Sequence, residues 1–235
     1  MKNALMLTAL LCIVACNQQK DSFIDLRDWQ KYRAVTIGNQ TWMAQNLNFA
    51  TKHSLCYQNY AGNCKMFGRL YGWDDAMAAC PKGWHLPTRD EWDTLIQYAG
   101  GSCVAGKKLK SKRMSIGDGI NRGGWAKNEV YGTDNTDDYG FSALAGGWLW
   151  GGTYKASGWY GEWWSATKYS DTSAHRPLWC ITEHAGIDSH IWFRGYAGGE
   201  SSAYTIKMYF DDDTAEEYYR GWNRNDGMSV RCVKG

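Results

Sequence analysis

The sequence predicts an α+β domain: two helices early in the chain, then a long, loop-rich antiparallel β region stapled by disulfides. Three observations carry this. Apolar residues recur at helical spacing between Arg69 and Ala99. Beyond Gly117, short β-type runs alternate with glycine and aromatic residues. Fourteen Trp, fifteen Tyr and twenty-seven Gly stand beside only three Pro in 235 residues, which suits short strands, tight turns and large flat side chains.

The chain begins with a short positive start at Lys2 and an apolar run from Ala4 to Ala15. That run is shorter than the roughly 20 residues a bilayer span needs, but it suits a signal peptide over residues 1–15. It ends in Ile13-Val14-Ala15-Cys16, which resembles the lipobox of bacterial lipoproteins. The resemblance implies lipidation of Cys16 after cleavage. The alternative is an ordinary signal peptide with Cys16 a spare thiol. Small Ala15 before the Cys and polar Asn17-Gln18-Gln19-Lys20 after it favour the lipobox. No second long apolar run follows, so the expected membrane attachment is an anchor and not a span. Residues 16–32 are polar and read as a tether. Residues 33–235 read as a single domain, because no repeat marks a second one.

Within that domain, Ala34 to Asn48 has β-type residues on both sides of Gly38-Asn39, the order of a hairpin. Cys56 and Cys64 bracket a polar loop that a local disulfide would close. Leu70, Trp73, Met77 and Cys80 predict a first helix over about Arg69 to Ala79, stopped by Pro81 and Gly83. A second helix starts inside "CPKGWHLPTRDEW". Thr88 followed by Glu91 is a capping box, Asp90 favours the positive end of the helix dipole, and Trp92, Leu95, Ile96 and Ala99 form one apolar stripe. Gly100-Gly101 supplies the stop. "GEWWSAT", "AYTIKMYF" and "MSVRCV" then read as strands, with a hairpin turning over Asp211 to Thr214.

Charge excludes one class of partner. The formal net charge is +2, and +1 once Lys2 leaves with the leader. Without a Lys/Arg cluster, nucleic acid is not expected. The nearest approach, "KKLKSKR" (Lys107 to Arg113), reads as a solvated face. With Cys12 and Cys16 set aside, six Cys remain, an even number consistent with disulfides in an exported chain. Six Cys allow fifteen connectivities. No C-x-x-C spacing is present, so zinc and thioredoxin-like chemistry have little support.

The blocks "GRLYGWDDAMAACPKGWHLPTRDEWDTL", "AGKKLKS", "DDYGFSALAGG", "WWSAT" and "MSVRCV" resemble the Fibrobacter succinogenes major paralogous domain family, in order from about Val35 to Lys234. The resemblance implies an exported, often lipid-anchored bacterial protein, with an outer-membrane or cell-surface address. A more distant likeness is to the C-type lectin fold and to the related domain of formylglycine-generating enzymes. By the lectin likeness, Cys80 pairs with Cys232. Relative to the family pattern, residues 175–200 look like an insertion, carrying Cys180, and Cys103 stands where a small polar residue is expected. Two unexpected Cys suggest a Cys103–Cys180 bond. With Cys56–Cys64, that uses all six.

The reactive-looking side chains mostly have structural duties. In "CPKGWHLPTRDEW", His85 as base and Cys80 as nucleophile would make an enzyme site. A bridge at Cys80, a cap at Thr88 and Glu91 and a core of Trp84, Leu86 and Trp92 account for the stretch better, leaving His85 and Arg89 without an assigned role. No catalytic residue is assigned. A lectin-type calcium site lacks its acidic-amide-Pro motif, and Trp222-Asn223-Arg224-Asn225-Asp226 is only a broken echo of the rest. The acidic runs Asp134 to Asp138 and Asp211-Asp212-Asp213 read as solvated turns, with calcium the weaker alternative. No cofactor is otherwise expected. His175, His184, His190 and Glu183 fit no standard zinc spacing, so no metal ligand is named.

The aromatic residues remain. Flat rings stack on the apolar faces of sugars. Trp148, Trp150, Trp159 and Tyr160 lie in a Gly-rich stretch and are the candidate ligand-binding residues, with core filling as the competing role. Trp163 and Trp164 are expected in the core. The expected function is a surface-anchored binding module for polysaccharide or a cell-envelope partner. The alternatives are a polysaccharide-acting enzyme and a structural envelope component.

Overall fold

A computed structural model describes residues 20–112, 114–115, 124–126, 134–169, 202–221 and 226–235. The expected leader at residues 1–15, Cys16 and the expected insertion at residues 175–200 lie outside these. The architecture is α+β, with four helices among the described residues and mostly antiparallel strands.

The chain enters as β1 (Lys20–Asp25), antiparallel to β2 (Gln30–Ile37). The polar stretch expected as a tether through residue 32 is therefore a strand and a turn from Lys20 onward. Two contacts explain the correction. Phe23 stacks on Trp84 at 4.4 Å between ring centroids. Asp25, 1% exposed, pairs with Arg27 at 2.7 Å, and the same guanidinium donates to the Ala79 carbonyl. β2 turns through Gly38, at φ 59°, into β3 (Gln40–Met43), the hairpin the Gly-Asn pair predicts.

The Cys56–Cys64 bridge closes a 3-10 turn and α1 (Ala61–Phe67) rather than a polar loop. Asn63, Cys64 and Phe67 turn inward and hold that helix. β4 (Leu70–Tyr71) follows, and α2 (Trp73–Ala79) begins only after extended Gly72. The helical spacing starting at Leu70 is thus misleading. Leu70 and Tyr71 are both buried as strand residues, and Met77 is 46% exposed.

β5 (Trp84–His85) leads to α3 (Arg89–Tyr98). The Thr88 hydroxyl accepts from the Glu91 amide at 3.2 Å, and the Glu91 carboxylate accepts from the Thr88 amide at 2.8 Å. Trp92, Leu95, Ile96 and Ala99 are completely buried. Gly100 and Gly101, at φ 105° and 90°, reverse the chain into α4 (Ser102–Leu109). This helix replaces the solvated face expected from the lysine run. Ala105, Leu109 and Lys110 point inward, and a Cβ on Gly106 would lie 1.9 Å from the Thr214 carbonyl oxygen.

Short β6 (Met114–Ser115) and β7 (Trp125–Ala126) pair in parallel. β8 (Trp148–Trp150) and β9 (Thr153–Lys155) form a hairpin. β10 (Tyr160–Lys168), β11 (Ser202–Tyr209), β12 (Glu216–Gly221), β13 (Met228–Ser229) and β14 (Val233–Lys234) complete the chain. Two five-stranded sheets result, ordered β1-β2-β3-β14-β5 and β12-β11-β10-β13-β4. Val233 of β14 lies between Trp42 and His85, which joins the two ends of the domain in one sheet. Beside it Cys232 is bonded to Cys80.

Successive strand residues face opposite ways. Trp163 therefore enters one core cluster with Trp42, Trp92 and Phe141, and Trp164 enters a second with Tyr71, Trp73 and Met228. Both faces of β10 are buried. Between the sheets, Arg231 is completely buried. Its Nη2 donates to Asn46 Oδ1 at 2.8 Å, and its Nη1 donates to the Phe141 carbonyl. Trp163 Nε1 donates to the same Asn46 oxygen at 2.9 Å. Burial pushes the Arg231 pKa down, and these acceptors are what keep a cation tolerable there.

Candidate functional site

Register builds the site. Glu162 on β10 lies opposite Lys207 on β11, and Lys207 opposite Glu216 on β12. One row along, Tyr160 faces Tyr209; on the other side, Trp164 faces Thr205, and Thr205 faces Tyr218. Side-chain alternation puts all of these on one face of the sheet. The charged row is nearly sealed from solvent: Glu162 is 0%, Lys207 4% and Glu216 4% exposed.

Four rings surround the Lys207 ammonium. Nζ lies 4.6 Å from the Trp148 centroid and 5.2, 5.2 and 5.1 Å from Tyr160, Tyr209 and Tyr218. All four fall within the roughly 6 Å over which a cation is attracted by a ring face. The rings brace one another edge-on, Trp148 to Tyr160 at 5.4 Å and Tyr160 to Tyr209 at 4.8 Å. An isolated ammonium would cost several kcal/mol to bury. Two carboxylates on the flanking strands and four π-faces offset that cost.

The phenols are locked by hydrogen bonds. The Tyr209 and Tyr218 hydroxyls lie 2.8 Å apart, and Tyr218 donates to Glu216 Oε2 at 3.0 Å. Thr205 donates to Glu162 Oε1 at 2.9 Å. Burial raises the pKa of Tyr209 above its ordinary value, with Tyr218 adding to it. Burial likewise raises Tyr218, with the Glu216 charge adding to it. Both phenols therefore stay neutral donors at any physiological pH.

The four aromatic candidates separate here. Trp148 and Tyr160 meet around Lys207. Trp150 shares the Trp148 face of β8, while Leu149 points the other way into a cluster with Tyr57 and Leu70. Trp159 stands apart: 45% exposed, it packs edge-on against Phe210 at 4.6 Å. Trp163 and Trp164 are core. Sequence reasoning missed Glu162, Lys207, Tyr209, Glu216 and Tyr218. A lysine between apolar Ile206 and Met208 was the one local signal.

The two side chains of "CPKGWHLPTRDEW" left without a role have partners. His85 Nε2 lies 2.7 Å from Glu91 Oε1, bracing the helix cap. Arg89 Nε lies 2.6 Å from Glu217 Oε2 in a nearly buried ion pair, with the guanidinium over the Tyr204 ring at 4.7 Å. Cys103 is disulfide-bonded. Cys180, its expected partner, and His175, Glu183, His184 and His190 lie outside the described residues, as do Trp222, Asn223, Arg224 and Asn225. The acidic runs form turns. Asp137 accepts from the Ser142 amide and hydroxyl at 2.8 and 2.6 Å, and Asp212 accepts from the Thr214 amide and hydroxyl at 2.9 and 2.8 Å. Among the described residues, no group of three or more His, Cys, Asp and Glu is arranged to hold a metal. No helix among them is long and apolar enough to cross a membrane.

Fold and site together define a disulfide-stapled α+β domain that carries a half-buried aromatic face over a charged row. The model of the Fibrobacter succinogenes major domain matches residues 35–234, and the chain belongs to that family. No curated protein and no solved structure matches it.

Proposed function

We propose that the chain is a lipid-anchored surface module that recognises polysaccharide through its aromatic face. One observation carries this reading: half-buried Trp148, Tyr160, Tyr209 and Tyr218 are held rigid around Lys207, so their orientation costs little entropy when a ligand arrives. Preorganised rings suit the apolar face of a sugar. Trp150, on the Trp148 face of β8, extends the platform.

Export and anchoring at Cys16 are part of the proposal. They are supported by the apolar run before Cys16 and by the Cys56–Cys64 and Cys80–Cys232 bridges, which persist in oxidising compartments. A C-type-lectin-like arrangement is also proposed. Its support is the bridge from the end of α2 to the last strands and the capped "LPT-x-x-EW" turn between α2 and α3.

One observation bears on an enzymatic rival. Glu162 and Glu216 sit two strands apart, roughly 9–10 Å along the sheet, near the upper limit for an inverting glycosidase pair. Lys207 occupies the strand between them, where such an enzyme needs room for sugar and water. Binding is therefore the favoured reading.

The test is a glycan array probed with soluble protein, beside capture of envelope proteins, using wild type and Trp148→Ala. Wild-type binding to at least one glycan class, lost in the variant with near-UV circular dichroism retained, is expected. Silence in both assays, or release of reducing sugar from a bound glycan, would overturn the reading.

A further inference from the structure

A second concave surface lies away from the aromatic face. A groove of about 520 Å³ runs between β2, the end of α1 and the segment around Asp137, continuous with a recess of about 300 Å³. The two share Arg33, Lys112, Asp137 and Ser142. Volumes of this size are those of small-ligand sites, roughly 300–1,000 Å³.

Its charge is lopsided. Arg33, Lys65 and Lys112 line it against the single carboxylate of Asp137. None of the three cations forms an ion pair among the described residues. Asp137 is engaged by Ser142. Behind the wall, the guanidinium of buried Arg231 bonds Asn46 and the Ser142 carbonyl, both at the groove, and adds to the positive potential. A cleft lined mainly by one sign of charge concentrates counter-ions.

Its hydrogen-bonding groups are those of a hydroxyl binder. Gln30 Oε1 accepts from Asn48 Nδ2 and Gln45 Oε1 from the Arg33 amide, which leaves the two NH2 groups as donors. Asn48 and Ser111 also border the groove, but Asn48 Oδ1 and the Ser111 hydroxyl are themselves buried and have no hydrogen-bond partner among the described residues.

We propose that this groove binds an acidic saccharide, a uronic-acid unit whose carboxylate meets Arg33 and Lys112 and whose hydroxyls meet the Gln30 and Gln45 amide groups. The proposal is independent of the aromatic face. The cations suit the carboxylate and the Gln30 and Gln45 NH2 groups can donate to hydroxyl oxygens, a combination that favours a saccharide over a simple acidic peptide.

Calorimetry on the full chain with tetragalacturonate, cellotetraose and tetraglutamate tests it. Tetragalacturonate is expected to bind and tetraglutamate to show little heat, while any heat from cellotetraose should be lost in Trp148→Ala and kept in the groove variant below, which assigns it to the aromatic face. Arg33 and Lys112 are exposed, so Arg33→Ala with Lys112→Ala is expected to retain the wild-type circular dichroism spectrum and should weaken tetragalacturonate binding on the order of tenfold or more. Trp148→Ala should leave it unchanged, which separates this site from the aromatic one. Absence of tetragalacturonate binding, equal binding of tetraglutamate, or a double variant that binds as wild type overturns the proposal.

Discussion

The Cys80–Cys232 bridge should be the largest single covalent contribution to stability, and the structure lets that be worked out against an internal control. The bridge closes a separation of 152 residues, and Cys56–Cys64 closes only 8. In the chain-entropy account, stabilisation grows with the logarithm of loop length, giving about 5 kcal/mol for the long bridge and about 2.5 kcal/mol for the short one. For a domain of this size 1 kcal/mol moves the melting midpoint by about 2–4 °C. Replacing both Cys of the long bridge by Ala should lower the midpoint by roughly 10–20 °C, and of the short bridge by roughly half as much. Cys232 is also buried in the second core cluster, so its truncation adds to the loss in the same direction. Thermal unfolding of both variants by circular dichroism, under oxidising conditions, is the assay. Equal losses, or a smaller loss for the long bridge, would refute the entropic reasoning and assign the bridges' worth to local packing.

Two further outcomes follow from buried charges. Arg89→Met leaves Glu217 buried without its guanidinium and should cost about 3 kcal/mol, while Arg89→Met with Glu217→Met should recover most of it; urea titration checks this, and a single-variant loss below about 1 kcal/mol would count against a strong pair. Lys110 is completely buried, and that burial lowers its pKa from 10.5 to about 8, against the carbonyls of Tyr209 and Asp212 to which it donates. Between pH 8 and 10.5 the folded chain therefore holds fewer protons at this site than the unfolded chain, and stability rises with pH by about 2 kcal/mol between pH 7.5 and 9.5. Lys110→Met should flatten that slope, and urea titrations across the window that leave the slope unchanged would remove Lys110 as its source. Above pH 10 the tyrosines raised by burial reverse the sign, because the folded state then holds the extra protons.

What was legible in the sequence was what is local. Cap, stripe and stop of α3 all lie within Thr88 to Gly101, and each acts on its own neighbours. The Gly38-Asn39 hairpin is local in the same sense. α4 was hidden because Gly106 breaks its helical pattern, and that glycine is set there by the Thr214 carbonyl more than a hundred residues away. β1 was hidden because its polar alternation resembles a tether until Trp84 arrives to stack on Phe23. The candidate site follows the same rule. Trp148 and Tyr160 could be singled out by their glycine-rich surroundings, but not the lysine that gathers them. Glu162, Lys207 and Glu216 meet only because the β10–β11 and β11–β12 registers put them in one row, and a slip of one residue in either pairing would send a charge to the Trp163 side of the sheet. That makes the row a device for register as well as a floor for the rings. With both faces of β10 buried, apolar pattern alone would tolerate the slip, whereas a buried lysine misaligned with its two carboxylates would not. The charged row thus favours a single pairing of β10, β11 and β12, and the aromatic face inherits its rigidity from that choice.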